Sequence, residues 1–230
     1  MKLHRYYLPN TDLTHDFWMD DAKLFHQWTR VLRYEVGREV ELFNDKQEDR
    51  LYKITKIGNN AVHLELITQL EPVEPEKEMY LCFALLKKDK VEWVLQKGTE
   101  LGVRHFVPML TDRTEKTGFD IERAEKIVIE ASEQCGRSDI PRVREPLKLQ
   151  TIIEELKEKS ELFVAEQGSP HLSFINSQSS KPRAVLIGPE GGWSDNEKMF
   201  FEENKLEFIT LSKFTLRAET ACIVASSLLQ

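Results

Sequence analysis

A chain of 230 residues, 40% hydrophobic and 31% charged, has the makeup of an ordinary globule with room for one large core or two modest ones. No apolar run approaches the ~20 residues of a membrane span, and Met1-Lys2-Leu3-His4-Arg5 continues into no signal-like stretch, so a cytoplasmic protein is expected. A net charge of −7 argues against a general nucleic-acid coat, which needs a basic surface, but leaves room for a local basic face.

In chain order, the first pattern is a helix over Asp20 to Arg33, capped by Asp20 or Asp21, with Leu24, Trp28, Val31 and Leu32 on its apolar face. Three β-rich runs follow, Arg38 to Asn44, Leu51 to Ile57 and Ala61 to Leu70, separated by Asp45-Lys46-Gln47 and Gly58-Asn59-Asn60 turn signals. Val62, Leu64 and Leu66 alternate with His63 and Glu65, the mark of a half-buried antiparallel strand. A small β-barrel carrying one helix fits this region. Glu71 to Glu78, with Pro72 and Pro75 among charges, suits a solvated linker, which divides the chain into domains 1–72 and 73–230.

Beyond the linker, strands and helices alternate. Met79 to Leu86 is a continuous apolar strand, and Val91, Val94, Leu95 and Leu101 mark a helix that Gly102 ends. Strand His105 to Leu110 precedes a helix over Asp120 to Cys135, with Ile121, Ala124, Val128, Ala131 and Cys135 on one face and Gly136 as its stop. A helix built on Ile152, Ile153 and Leu156 leads into strand Leu162 to Ala165. Then come strand Arg183 to Ile187, helix Asp195 to Asn204, strand Phe208 to Leu211 and helix Ala218 to Leu229. Buried strands between helices imply an α/β fold with a mostly parallel sheet covered on both faces. Cys82, Cys135 and Cys222 share no metal-like spacing and read as reduced core thiols, and no metal site is expected.

Gly188-Pro189-Glu190-Gly191-Gly192 sits between a strand and a helix, beyond a strand's carboxyl end, where open parallel sheets hold ligands. It lacks the lysine of a GxxxxGK loop and the GxGxxG of dinucleotide folds, and Glu190 discourages an anion. A neutral or cationic ligand approached by backbone groups fits better, although a tight turn with no ligand remains an alternative. Ser194 and Glu197 have capping-box spacing, which fixes the helix start behind the loop. Near the end, Arg217 lies in a loop before a helix rich in small residues, Ala221, Ala225, Ser226 and Ser227, with Glu219 in its first turn, where its charge suits the helix dipole. Arg217 and Glu219 could equally be a surface pair.

IGPEGGWSDNE at Ile187 to Glu197, LRAETA at Leu216 to Ala221, QKGTELGV at Gln96 to Val103 and RVLR at Arg30 to Arg33 together resemble the bacterial 16S rRNA uracil-N3 methyltransferase family, of the SPOUT class. The resemblance runs nearly end to end. It implies an N-terminal PUA-like β-barrel that binds RNA and a C-terminal α/β methyltransferase domain with a deep trefoil knot and the cofactor site at about 162–230. It also implies a homodimer, S-adenosylmethionine as cofactor and methyl transfer to uracil N3 in 16S rRNA, within the assembled small ribosomal subunit. Ser212 stands where members commonly have glycine, and Thr215 where isoleucine is common.

Carried over by motif, the cofactor residues are Ala165 and Glu166 after one strand, Ile187, Gly188, Pro189, Gly191 and Gly192 after the next, and Leu211, Leu216 and Thr220 last. Glu190 is expected to support its own loop. Arg217 is the candidate for stabilising the uracil anion, since N3 is protonated at neutral pH and its charge must be met somewhere. His26 reads as structural or RNA-facing. For phosphate contact the candidates are Arg5, Arg30, Arg33, Lys88, Arg113 and Arg137, drawn from basic clusters that also include Lys2, His4, Lys87, Lys90, Lys116, Arg142 and Arg144. Two rivals stand beside this reading. One is a SPOUT ribose 2′-O-methyltransferase, whose asparagine-rich C-terminal motif is absent here. The other is a noncatalytic RNA-binding protein.

Overall fold

The structure, a computed structural model, describes residues 3–46, 48–115, 118–170 and 180–229. It divides into two compact units, Met1–Glu74 with Ser132–Ile140, and Pro75–Ala131 with Pro141–Gln230. Val73 and Ser138 exchange hydrogen bonds, Val73 N–H to Ser138 Oγ at 2.8 Å and Ser138 N–H to Val73 O at 2.7 Å, so the proline-rich segment is tied down at this point instead of running free in solvent.

In the first unit, β1 (Arg5–Tyr7), β2 (Asp16–Met19), β3 (Glu39–Phe43), β4 (Asp49–Ile57) and β5 (Val62–Gln69) form one sheet in the order β1-β3-β4-β5-β2. Only the β1–β3 pairing is parallel. β1 and β2 are three and four residues long and carry no clear period-2 signal, which is why sequence patterning passes over them. The helix expected over Asp20 to Arg33 is shorter. Asp21 Oδ1 accepts from Leu24 N–H at 2.8 Å to start α1 (Ala22–His26), and the chain then widens into a π turn over Gln27–Val31. That widening turns Val31 to solvent, against expectation, while Trp28 and Leu24 stay in the core with Tyr6, Leu42, Tyr52 and Ile54.

The second unit is built on a parallel sheet. β6 (Met79–Ala84), β7 (His105–Leu110), β8 (Arg142–Val143), β9 (Leu147–Lys148), β10 (Glu161–Ala165), β11 (Arg183–Ile187) and β12 (Glu207–Ile209) run in the order β12-β10-β11-β6-β7-β8, with β9 also on β7. Every pairing is parallel. The central strands β6 and β11 are buried except at Tyr80 and Arg183, as a sheet covered on both faces requires. The helices are α2 (Lys88–Glu100), α3 (Ile121–Cys135), whose last turn belongs to the first unit, α4 (Leu149–Leu156), α5 (Asp195–Glu203) and α6 (Ala218–Leu228). Cys82 and Cys222 are buried thiols, as expected, but Cys135 is exposed, because with Gln134 it falls on the outward side of the last turn of α3, whose inward residue is the buried Ser132.

Candidate functional site

β10, β11 and β12 are neighbours, and their carboxyl ends open onto three successive turns. The turns enclose a cleft of about 450 Å³, within the range of small-ligand sites. Ala165 and Glu166 line it from the first turn, Ile187, Gly188, Pro189 and Gly192 from the second, and Leu211, Leu216 and Arg217 from the third. Sequence reasoning put these residues together without their coordinates. It missed Gln167, Trp193 and Phe214, and it read Ala221 only as a small residue of the final helix.

Trp193 explains the glycine at 188. A Cβ there would meet the indole at 3.0 to 3.3 Å, closer than ordinary contact allows. The ring is held from behind by Phe201, edge-on at 5.0 Å, and its Nε1 donates to Ala165 O at 3.2 Å, so it joins the first turn to the second. Gly192 has φ +68, a left-handed conformation that closes the loop through Gly192 N–H to Pro189 O at 2.9 Å. The capping box is present. Ser194 Oγ accepts from Glu197 N–H at 3.1 Å and Glu197 Oε2 accepts from Ser194 N–H at 2.8 Å, while Glu197 Oε1 takes Asp112 N–H at 2.9 Å. One buried carboxylate thereby fixes the helix start and the loop after β7.

Two of the expected cofactor residues do not line the cleft. Gly191 turns its carbonyl to Arg113, whose Nη1 donates to it at 2.7 Å, and its α-carbon faces the Arg113 side chain. Thr220 lies in the first turn of α6 and is not part of the lining, although Ala218 and Ala221 on the same helix are.

Charge in the cleft is uneven. Glu166 pairs with Lys198 at its edge. Glu190 lines the cleft, and its carboxyl is held below the usual carboxylate range by its own backbone N–H and by Lys90. Arg217 is the only cation lining the cleft among the described residues, and its guanidinium takes no hydrogen bond or ion pair among them, so it is not the surface partner of Glu219. Glu219 instead meets Lys90. None of the main-chain hydrogen bonds among the described residues uses the N–H of Leu211, Ser212 or Leu216, which leaves donors along the third turn.

Comparison with known proteins agrees with this architecture. Residues 73–230 match the family model of the RNA methyltransferase domain, and residues 29–67 that of the RNA methyltransferase PUA domain. A ribosomal RNA small subunit methyltransferase E of Synechocystis is 35% identical over 207 residues, covering 87% of this chain and 68% of the relative. The protein of that name in Bacillus subtilis is 32% identical over 217 residues, covering 88% of this chain and 85% of the relative. The chain belongs to the ribosomal RNA small subunit methyltransferase E family. Among solved structures, a methyltransferase of Legionella pneumophila with the cofactor SAM bound superposes with a TM-score of 0.88 at 29% identity, covering 100% of this chain and 98% of that one.

For this methyltransferase-family chain, the basic residues expected to meet phosphate separate into two groups. Arg5 is half-buried with its side chain largely covered, paired with Glu41 and Asp49 and stacked 4.3 Å over the Phe43 ring. Arg137 is buried, and its guanidinium grips Asp139. Both charges are used inside the first unit, which removes these two from the phosphate-contact set. Arg30, Arg33, Lys88 and Arg113 are exposed, Arg33 in a left-handed turn at φ 51. Lys87 and Arg142 are exposed as well, whereas Arg144 pairs with Glu155 at 2.9 Å. Lys2 and Lys116 lie outside the described residues.

Proposed function

We propose that this protein methylates N3 of one uracil in 16S rRNA, with S-adenosylmethionine as methyl donor. The observation that carries the reading is the cleft at the ends of β10, β11 and β12, apolar in its walls, edged by carboxylates and lined by one arginine, Arg217, that has no partner among the described residues. The residues fit the donor. Trp193, Ile187, Leu211 and Ala221 supply apolar cover for an adenosine-sized group, the N–H groups of Leu211 and Leu216 are in place for polar atoms, and Glu190 suits a cation. When bound, S-adenosylmethionine supplies an electrophilic methyl on a positively charged sulfur.

The chain's own part is electrostatic. Uracil N3 carries a proton at neutral pH; its loss to solvent leaves a negative charge shared between N3, which takes the methyl, and the two flanking carbonyl oxygens. A guanidinium with no partner among the described residues is available to stabilise that charge, which is the role assigned to Arg217. In the same reading residues 1–72 form a PUA-like barrel that grips RNA, with Arg30 and Arg33 exposed for phosphate. Residues 73–230 form a SPOUT domain threaded as a trefoil knot from about 162 onward. Thr210 N–H donates to Pro170 O at 2.8 Å and Gln167 Nε2 to Lys213 O at 3.3 Å, so the last turn runs against the first, an arrangement that supports the threading. The enzyme works in the cytoplasm as a homodimer on the assembled small subunit, and the small residues of α6 suit close packing.

The test is mass mapping of modified bases in small-subunit rRNA from cells with and without the gene. Loss of a single 3-methyluridine is expected. An unchanged set of modified bases would refute the assignment.

A further inference from the structure

Lys90 stands in the first turn of α2, which packs on α6. Its Nζ lies 3.0 Å from Glu190 Oε1 on the glycine loop and 3.2 Å from Glu219 Oε2 on the first turn of α6. Glu219 Oε2 is shielded from water and is met by no well-aligned hydrogen bond among the described residues, so the Lys90 ammonium at 3.2 Å is what compensates its charge. The two carboxylates answer to the same cation, and without it like charges would face each other. Pro189 and Glu190 wall the cleft on one side of this bridge, and Arg217, two residues before Glu219, walls it on the other. Lys90 itself lies outside the lining.

We propose that Lys90 is a positioning residue for methyl transfer, tying the glycine loop to the start of α6 so that Arg217 is held at a fixed place against the cleft. This rests on the function proposed above. Both carboxylates draw the lysine toward its charged form, so the bridge is intact at neutral pH. Loss of the bridge leaves the cleft's walls in place but frees them to shift against each other. A displacement on the order of 1 Å between a catalytic group and its substrate is enough to cost about 10²-fold in rate. The effect belongs in kcat, because the methyl donor meets the walls one at a time whereas the stabilised anion needs both in register.

Two readouts test the tie. The first is amide hydrogen exchange of the full chain, which needs no methyl donor. Lys90→Met should speed exchange at residues 188–192 and 217–221 by about tenfold or more, Glu219→Gln should do the same at 217–221, and Lys90→Arg should stay near wild type. The second is a double-mutant cycle in kcat at saturating donor. Lys90→Met should lower kcat about tenfold while donor affinity stays within about threefold, with Lys90→Arg recovering most of the loss. Arg217→Ala should cost about 100-fold in the wild-type background but only about tenfold on Lys90→Met, because the arginine is already out of place. A purely structural lysine gives additive losses, and additivity or unchanged exchange overturns the proposal. If wild-type protein methylates no uracil, the function proposed above falls, and the exchange readout still decides whether Lys90 joins the loop to the helix.

Discussion

Gly188→Ala is the most direct structural perturbation of the cleft. The added Cβ would sit 3.0 Å from Trp193 Cε2 and 3.2 Å from Cζ2, where ordinary contact begins near 3.4 Å. The indole has nowhere to retreat, since Phe201 packs edge-on against it and its Nε1 is bonded to Ala165 O. Overpacking of this kind costs about 1–3 kcal/mol. Relief by moving the loop would displace the backbone of Ile187 to Pro189 from the donor, and a loss of about tenfold in affinity corresponds to roughly 1.4 kcal/mol. Gly191→Ala is the internal control. Its Cβ would touch Arg113 at 3.4 Å, an ordinary contact, and its φ is not left-handed, so its effect should stay within about 0.5 kcal/mol. Calorimetric titration with S-adenosylmethionine and thermal melting of both variants provide the measurement. Equal binding by Gly188→Ala and wild type, or a larger loss in Gly191→Ala, would refute the account of the loop.

Other outcomes follow from the same geometry. Arg217→Ala should leave donor affinity within about threefold and lower methylation about 10²-fold, the scale of one lost charge-stabilising group, as read in single-turnover assays. Arg5→Ala should destabilise the first unit by about 3 kcal/mol or more in urea titration, because it strands the buried Asp49 carboxylate, whereas Arg30→Ala should weaken RNA binding and leave stability unchanged. Glu197→Ala should cost about 2–3 kcal/mol, since it removes the capping box and leaves Asp112 N–H without its acceptor. Burial holds the His105 imidazole below its usual range despite its bond to Glu78, so the folded chain binds fewer protons there than the unfolded one. The contribution is present above the usual histidine pKa of about 6.5 and is lost as pH falls below it. His105→Phe should therefore flatten the fall in denaturation midpoint between pH 7 and 5.

The parallel sheet of the second unit was legible because its strands are continuous apolar runs and its helices end at glycines, as Gly102 and Gly136 do with left-handed φ. Those signals are local. The residues that sequence reasoning missed act across the chain. Trp193 reads as one more aromatic after a glycine loop until its contacts with Gly188, Ala165 and Phe201 are seen, and nothing local marks Lys90 as the partner of carboxylates 100 and 129 residues away. Arg5 and Arg137 misled for the converse reason. A basic residue looks solvated by default, and only the fold reveals that Asp49, Glu41 and Asp139 are placed to receive them. The π turn after α1 likewise has no signature in Gln27 to Val31, so the apolar stripe read from the sequence takes in Val31, which the turn exposes, beside Leu32, which stays packed against the core.

The central claim is a methyl transfer to a pyrimidine ring nitrogen from a donor held at the ends of β10, β11 and β12. Purified protein incubated with methyl-labelled S-adenosylmethionine and small ribosomal subunits lacking the modification, followed by digestion to nucleosides and mass spectrometry, measures it directly. The account predicts label in 3-methyluridine alone. Label on a ribose 2′-oxygen, or none in the RNA while the donor binds, would contradict it.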